Sequence, residues 1–424
     1  MPEPPILVLL ASPTAPLDAA SIARGRDGDP VVLGLSLTRR AVLAARQCGY
    51  GHVFLLASKD VTAPWMPVVA DWRNLAARSP SFEAATVVIA PAAILAETDW
   101  LDLLATTRIA PAAWAAVPSR IVVLAAGLRT DVVEALEGAE DFAAVEGRLA
   151  YHLGPAVPLA ADIDPIVVET PGDVRVAEQR LLRSLVKDTD GFMARHVERP
   201  ISLQISRALA GTAITPNQMS LISIAVGTCG GPFFLSSRPL MQTIGALLFL
   251  AHSILDGCDG ELARLKFQQS RWGGILDFWG DNVVHTIIFA CMGVGWSLAA
   301  GAVCPLWLGA AAVFGTLGSA GFVYWRLMRC KDGGDTLFTS VSDAPERLLT
   351  RLLDSASRRD FIYLVILLAL FGRSNWFLVM AGIGAPIYFF LVLLAARPKA
   401  RAQLIAESDS GLAPGANPLA PERP

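Results

Sequence analysis

Short apolar runs alternate with amphipathic stretches from residue 5 to about 165, and beyond Pro216 the apolar runs become long. ILVLLA, HVFLLA, ATVVIA and RIVVLAAG read as strands, because each is short, apolar and bounded by polar or turn-forming residues. LTRRAVLAARQCG, DWRNLAAR, DWLDLLAT and DVVEALEGAEDF lie between or after them with helical periodicity, the first with a basic outer face. Strands alternating with helices predict an α/β domain with a mainly parallel sheet over residues 1–173. No run there reaches the ~18–20 apolar residues a membrane helix needs, so this half is expected in the cytosol. MPEPPILVLLASPTAP is acidic and carries an apolar run of only about six residues, which predicts a strand and no signal peptide.

Residues 174–214 link the two patterns, basic and amphipathic from Val174 to Ala210. Such a helix suits the headgroup layer, with Arg180, Arg183, Lys187, Arg195 and Arg207 near anionic phosphates; the alternative is a helix packed on the α/β domain. Six apolar segments follow, at about 217–236, 239–262, 274–299, 305–327, 360–372 and 375–396. They predict an all-α six-helix transmembrane bundle over 215–400, with 401–424 a disordered cytosolic tail. Basic residues gather between the fourth and fifth segments (Arg329, Lys331, Arg347, Arg351), between the second and third (Lys266, Arg271) and after the sixth (Arg397, Lys399). The positive-inside rule then sets both termini and the 266–271 loop on the cytoplasmic side of an inner or plasma membrane.

Composition agrees with a membrane protein: 53% of residues are hydrophobic, 17% are charged and the mean hydropathy is +0.48. A net charge of −3 argues against nucleic acid as a partner. Six scattered cysteines without a CxxC exclude a structural zinc or a disulfide framework and fit a reducing compartment.

One stretch breaks the apolar pattern. AHSILDGCDGELARLKFQQSRWGGILDFWGDNVVH, residues 251–285, sets Asp256, Asp259, Asp277 and Asp281 where hydropathy expects two membrane helices. A carboxylate at the bilayer centre costs at least ~2.5–3.5 kcal/mol, although the cytoplasmic mouth of a bundle reduces that. Asp256 and Asp259 share one helix face, Asp277 and Asp281 another, and a tight turn around KFQQSRWGG would bring the pairs together. Converging carboxylates repel unless a cation holds them. Hard Mg²⁺ or Mn²⁺ suits oxygen ligands, and two ions about 4 Å apart would clamp a displacement at phosphorus. Gly260, Ala263 and Gly273 leave room for something as bulky as a nucleotide, and Arg264 can meet a phosphate. Salt bridges to Arg264, Lys266 and Arg271 would explain one or two of the acids but not four in two registers. His252 and His285, one turn outside the acids, would orient them, relay protons or simply bond between helices. Arg326 and Arg329 end the fourth segment, where they could bind an acceptor phosphate or snorkel to the interface. A cation transporter lined by carboxylates is the alternative outside enzymes, disfavoured because the acids cluster at one membrane face.

Asp256-x2-Asp259-Gly260-x2-Ala263-Arg264-x8-Gly273-x3-Asp277-x3-Asp281 matches every position of the signature of the CDP-alcohol phosphatidyltransferases. ITPNQMSLIS, with Thr215, Pro216 and Asn217, resembles the segment that leads into that family's first membrane helix, and the resemblance spans about residues 180–400. It implies displacement of CMP from a CDP-linked donor, CDP-diacylglycerol first, by the hydroxyl of an acceptor alcohol or polyol phosphate, in phospholipid biosynthesis. By that resemblance Asp256, Asp259, Asp277 and Asp281 bind two Mg²⁺ or Mn²⁺ ions and Asp281 also acts as general base. Gly260, Ala263, Arg264 and Gly273 would hold the CDP moiety, Asn217 would support the acids, and the protein would be a homodimer.

VVLGLSLTRRAVLAARQCGYGHVFLLA and VVETPGDVRVAEQRL resemble elements of sugar-nucleotide and cytidylyltransferases. An active member needs a glycine-rich loop after its first strand and an acid at the end of a middle strand. Those places read ASPTAPLDAAS and VVIAPAAILAETD, so the expected domain is degenerate, with a structural, regulatory or ligand-sensing role. The alternative is a bifunctional enzyme that first makes its CDP-alcohol from CTP.

Overall fold

The computed structural model describes residues 3–11, 29–57, 63–78, 84–107, 109, 113–117, 120–125, 129–159, 164–186, 190–329 and 361–395. By their contacts the residues form two compact units, Met1–Ser220 with Ile254–Gly274, and Leu221–Ser253 with Ile275–Pro424.

The strands are β1 (Ile6–Leu10), β2 (Val31–Val32), β3 (Leu35–Ser36), β4 (His52–Leu56), β5 (Val68–Val69), β6 (Val87–Pro91), β7 (Trp114–Val117), β8 (Ile121–Leu124) and β9 (Val157–Pro158). Seven of them make one sheet in the order β5-β4-β1-β6-β8-β7-β9. The pairs β1–β4, β1–β6, β4–β5 and β7–β9 are parallel, and β8 pairs antiparallel with both β6 and β7. Because side chains alternate along a strand, Ile6, Val8 and Leu10 enter one core while Leu7 and Leu9 enter the other. On the first face lie α2 (Trp72–Ala76), α4 (Thr130–Leu136) and α5 (Phe142–Leu153). On the second lie α1 (Leu37–Gln47) and α3 (Thr98–Thr106). The fold is the expected α/β, with a sheet that is mixed but mostly parallel.

Two local expectations change. DVVEALEGAEDF does not form one helix: Gly138 takes φ +75 after α4, and Asp141 starts α5 by accepting from the Ala144 N–H. The basic face of α1 is not all outer, since Arg40 is 1% exposed.

Helices α6 (Pro171–Ser184), α7 (Arg199–Ala210), α8 (Pro216–Gly230) and α9 (Pro239–Leu265) follow, with a π turn (Ala194–Glu198) before α7. Two begin with the same chemistry. Thr170 and Asp173 form a capping box with Pro171 at the first helical position. Thr215 and Gln218 repeat the reciprocal bonds around Pro216, which explains the ITPNQ motif as a helix start. Val174, Ala177, Leu181 and Leu182 of α6 join a core with Val32, Leu33, Leu95 and Val168, so α6 packs on the α/β fold. Arg180 pairs with Glu97 at 3.0 Å and Arg207 with Glu178 at 2.7 Å.

The last helices are α10 (Arg271–Ala300), α11 (Cys304–Arg329), α12 (Phe361–Leu370) and α13 (Ser374–Ala395). Among the described residues five stretches are long and apolar enough to cross a membrane: Pro216–Leu235, Pro239–Leu265, Arg271–Ala300, Cys304–Arg326 and Ser374–Leu394. The chain is an integral membrane protein. The fifth expected segment is a helix too, but its described part, Phe361–Leu370, falls short of a span. In the second unit Phe234, Phe249, Phe289, Met292, Ile362 and Phe377 share a core. The small residues of GAAAVFGTLGSAG pack within the chain: Gly309 meets Gly293, and Gly315 meets the backbone of Ala385 and Pro386. The basic loop after α11 and the tail lie outside the described residues.

The β2–β3 hairpin turns through Leu33 (φ 47) and Gly34 (φ 80), and a Cβ on Gly34 would collide with the Ala210 carbonyl at the end of α7. Gly34→Ala is expected to cost on the order of 1–3 kcal/mol in backbone strain alone. Gly34→Asn, whose backbone tolerates φ > 0, should do no better, because the clash comes from any Cβ. Thermal unfolding of the detergent-solubilised chain measures both.

Candidate metal centre and nucleotide pocket

The last turns of α9 carry Asp256, Asp259 and Glu261, exposed by only 6%, 6% and 0%. Each of Asp256, Asp259 and Asp277 offers one carboxylate oxygen, and these three lie within 4.8 Å of one another. Ser220 on α8 donates a short hydrogen bond to the Asp259 carboxylate. Three clustered hard oxygen donors, two of them buried, fit a divalent cation. The Lys266 ammonium donates to the carbonyls of Thr212 and Ile214, at 2.9 and 2.7 Å.

Asp281 stands outside that group of three among the described residues. His252 Nε2 lies 3.3 Å from its carboxylate, and His252 Nδ1 bonds the Ser223 carbonyl at 3.0 Å. A carbonyl only accepts, so Nδ1 donates to Ser223 and ties the ring to α8, with Nε2 turned toward Asp281 on α10. His285 differs. Its Nδ1 bonds the backbone carbonyl of Asp281 at 2.7 Å, and its ring meets Phe249 edge-on with centroids 5.2 Å apart.

The small residues divide in two. A Cβ on Gly260 would find only the Arg264 guanidinium, at 3.8 Å, so its surroundings are open. A Cβ on Gly273 would come within 2.9 Å of the Asn217 side-chain oxygen, so glycine there admits Asn217. Ala263 and Arg264 are half-buried, and Arg264 Nε is buried without a hydrogen-bond partner among the described residues. A buried guanidinium donor left unmet is costly, and an anion would satisfy it. Arg326 is exposed at the end of its span.

Sequence reasoning passed over the network behind the acids. Glu261 accepts from Ser202 Oγ, Ser206 Oγ and Arg199 Nη1, each at 2.7 Å. Arg199 also pairs with Asp190 at 2.9 Å. Burial disfavours the Arg199 cation, but its hydrogen bonds to Asp190 and Glu261 outweigh that and hold its pKa above the ordinary value. Arg199, Ser202 and Ser206 stand at helical spacing on one face of α7, a polar stripe that could have announced a buried acid opposite.

In the α/β fold a cavity of about 560 Å³ opens beside Leu10 and Pro91, the carboxyl ends of β1 and β6, with Arg120, Phe142, Asp164 and Glu169 in its wall. The sheet order reverses beside β1, where open α/β sheets bind ligands. The middle strand ends at Pro91 with no acid, as the sequence indicated, and residues 12–28, where a glycine-rich loop would stand, lie outside the described residues.

The profile of the CDP-alcohol phosphatidyltransferase family matches residues 213–381. That stretch is a CDP-alcohol phosphatidyltransferase domain. A protein of Thermococcus kodakarensis named "Bifunctional IPC transferase and DIPP synthase" is 38% identical over 126 residues, 30% of this chain and 28% of that protein. The protein of the same name from Rubrobacter xylanophilus is 39% identical over 150 residues, 34% of this chain and 33% of that one. The match thus spans about a third or less of these relatives' length. The phosphatidylinositol phosphate synthase of Mycobacterium tuberculosis, solved with CDP-DAG bound, aligns at 17% identity and a TM-score of 0.32 over 46% of this chain and 94% of its own.

Removing Arg199 would leave Glu261 as an uncompensated buried charge. Arg199→Ala is therefore expected to destabilise the protein by about 3–5 kcal/mol. Glu261→Leu with Ser202→Ala and Ser206→Ala, which removes the acid together with two donors, should recover part of that loss in Arg199→Ala protein, read by thermal unfolding in detergent.

Proposed function

We propose that this protein is a membrane-embedded, divalent-metal-dependent transferase that displaces CMP from a CDP-linked donor with the hydroxyl of an acceptor alcohol. CDP-diacylglycerol is the donor of first choice and phospholipid biosynthesis the setting. The observation that carries the reading is the Asp256, Asp259 and Asp277 oxygen cluster within 4.8 Å, inside a domain of this family. Bound Mg²⁺ or Mn²⁺, two ions in our reading, would supply charge neutralisation at the donor diphosphate and at the departing CMP.

The chain's own residues do the rest. Asp256, Asp259, Asp277 and Asp281 provide the oxygen ligands. Asp281 also takes the proton from the attacking hydroxyl, and the His252 ring, anchored on Ser223, stands beside that carboxylate. Arg264 offers its unmet guanidinium edge to a phosphate, and the open space at Gly260 admits the nucleotide. Gly273 lets Asn217 approach the same pocket, and Ala263 adds a small, half-buried side chain to it. Arg326, at the end of its span, and Arg329, whose side chain lies outside the described residues, are candidates for an acceptor phosphate such as that of a polyol phosphate. In this reading the termini and the site face the cytoplasm, α7 lies in the headgroup layer, and the protein pairs as a homodimer.

Asp281→Asn should lower CMP release from CDP-diacylglycerol by ~10²–10⁴-fold, the weight of a general base. Asp277→Asn should abolish it. Both proteins should still insert in the membrane, and normal turnover in either would discard the mechanism.

A second reading has the cavity at the ends of β1 and β6 in its favour: the α/β fold would first make a CDP-alcohol from CTP. The wall of that cavity lacks an acid at the end of β6, so we favour a structural or ligand-sensing role for it. Pyrophosphate release when the full chain is given CTP, Mg²⁺ and polyol phosphates would restore the second reading; its absence supports the first.

A further inference from the structure

Helix α9 ends in an unusual way. Gln268 N–H bonds the Ala263 carbonyl at 2.8 Å and Phe267 N–H bonds the Arg264 carbonyl at 3.3 Å, the pair of bonds that defines a Schellman turn. Such a turn needs a left-handed residue at its pivot, normally glycine. This chain follows that habit elsewhere. Tyr50 and Gly49 bond back to Ala45 and Arg46 at the end of α1, with Gly49 at φ 79. Arg373 and Gly372 bond back to Leu368 and Ala369 at the end of α12, with Gly372 at φ 62. At the end of α9 the pivot is Phe267, at φ 55. A bulky residue in that conformation is strained and persists only where its surroundings hold it.

The α/β fold holds it. Phe267 packs against the core formed by β1, β4, α1 and α3. The guanidinium of Arg40 on α1 lies over its ring at 5.7 Å. Arg40 Nη1 donates to the Leu265 carbonyl at 3.3 Å, one of the orphan acceptors at the helix end, and Nη2 donates to the Val32 carbonyl at 3.0 Å. A cation at a helix C-terminus also opposes the negative end of its dipole. The arrangement carries a cost, for burial depresses the Arg40 pKa to about 10 while Glu97 partly offsets it. The two residues whose carbonyls close the turn are Ala263 and Arg264, both assigned above to the CDP pocket.

We infer that Arg40 is a positioning residue for nucleotide binding: the α/β fold supplies the C-terminal cap of α9 and so fixes the side chain of Arg264. The inference rests on the reading of Ala263 and Arg264 as part of a CDP site. It gives the α/β fold a task that needs no chemistry of its own.

The test is calorimetric titration of CDP with Mn²⁺, and of Mn²⁺ alone, into the full chain in detergent. Arg40→Ala should weaken CDP binding about tenfold or more, the weight of one charge-assisted hydrogen bond. Mn²⁺ binding should stay within about twofold, because Asp256 and Asp259 lie upstream of the cap. Arg40→Lys, which keeps the charge but cannot bridge both carbonyls, should fall between, and Arg39→Ala, its exposed neighbour, should match the unsubstituted protein. Phe267→Gly in Arg40→Ala protein should restore part of the CDP affinity, since glycine makes the turn without help; a role confined to overall stability would give no such rescue. Equal CDP affinity in Arg40→Ala, Arg40→Lys and unsubstituted protein overturns the inference. So does an unrescued, parallel loss of CDP and Mn²⁺ binding. No CDP binding by the unsubstituted protein would instead remove the nucleotide site itself, and the inference with it.

Discussion

A carboxylate withdrawn from water gives up several kcal/mol of hydration, which only hydrogen bonds or an opposing charge return. Helix α9 buries three such groups within six residues, Asp256, Asp259 and Glu261. Much of the surrounding structure can be understood as compensation. Glu261 is met by two serines and an arginine from α7, so the acid that faces away from the cluster is fully bonded within the chain. Asp259 receives the Ser220 hydroxyl and shares a 4.8 Å neighbourhood with two further carboxylates. Like charges so close favour either a proton or a metal. The two kinds of acid, separated by only two positions, are therefore sorted by what the neighbouring helices present to them.

The same logic explains why the linker between the sheet and the first span is polar on one stripe. Arg199, Ser202 and Ser206 would be out of place facing lipid, and they face Glu261. The amphipathic pattern of α7 is thus satisfied on its polar side by one buried acid. On α6 the apolar side is satisfied by the sheet's own core. Pattern alone told that both helices had two faces. It did not tell which partner each face meets, because a headgroup layer and a protein core select the same residues.

What could be read from the chain follows from how local the cause is. The strands ILVLLA, HVFLLA, ATVVIA and RIVVLAAG were legible because period and length are carried by the residues themselves. So were the spans, whose bounds differ from expectation by a few residues. Helical spacing suggested that Asp256 and Asp259 share a face, and the structure gathers them with Asp277, while Asp281 stands outside that group among the described residues. The hairpin through Leu33 and Gly34 was not legible, since neither the NG nor the DG signal is present and a left-handed leucine has no signature. Strand β7 was missed because two alanines dilute the signal of Trp114 and Val117, and the strand is held by pairing with β8 and β9. Arg40 was taken for an outer residue because its periodicity on α1 is that of a surface position. Its burial comes from Leu265 and Phe267, more than 200 positions away.

That distance bears on what the α/β fold does for the end of α9. A nucleotide-cutting site can be lost by changing a loop and one acid, without touching the sheet. A cap on another helix cannot, because it needs α1 at a fixed height on the sheet, Val32 in its hairpin and the core that receives Phe267. The features of the α/β fold that the end of α9 uses are its hairpin and its packed core. A rigid end of α9 therefore depends on the packing of that fold and on no chemical group in its cavity.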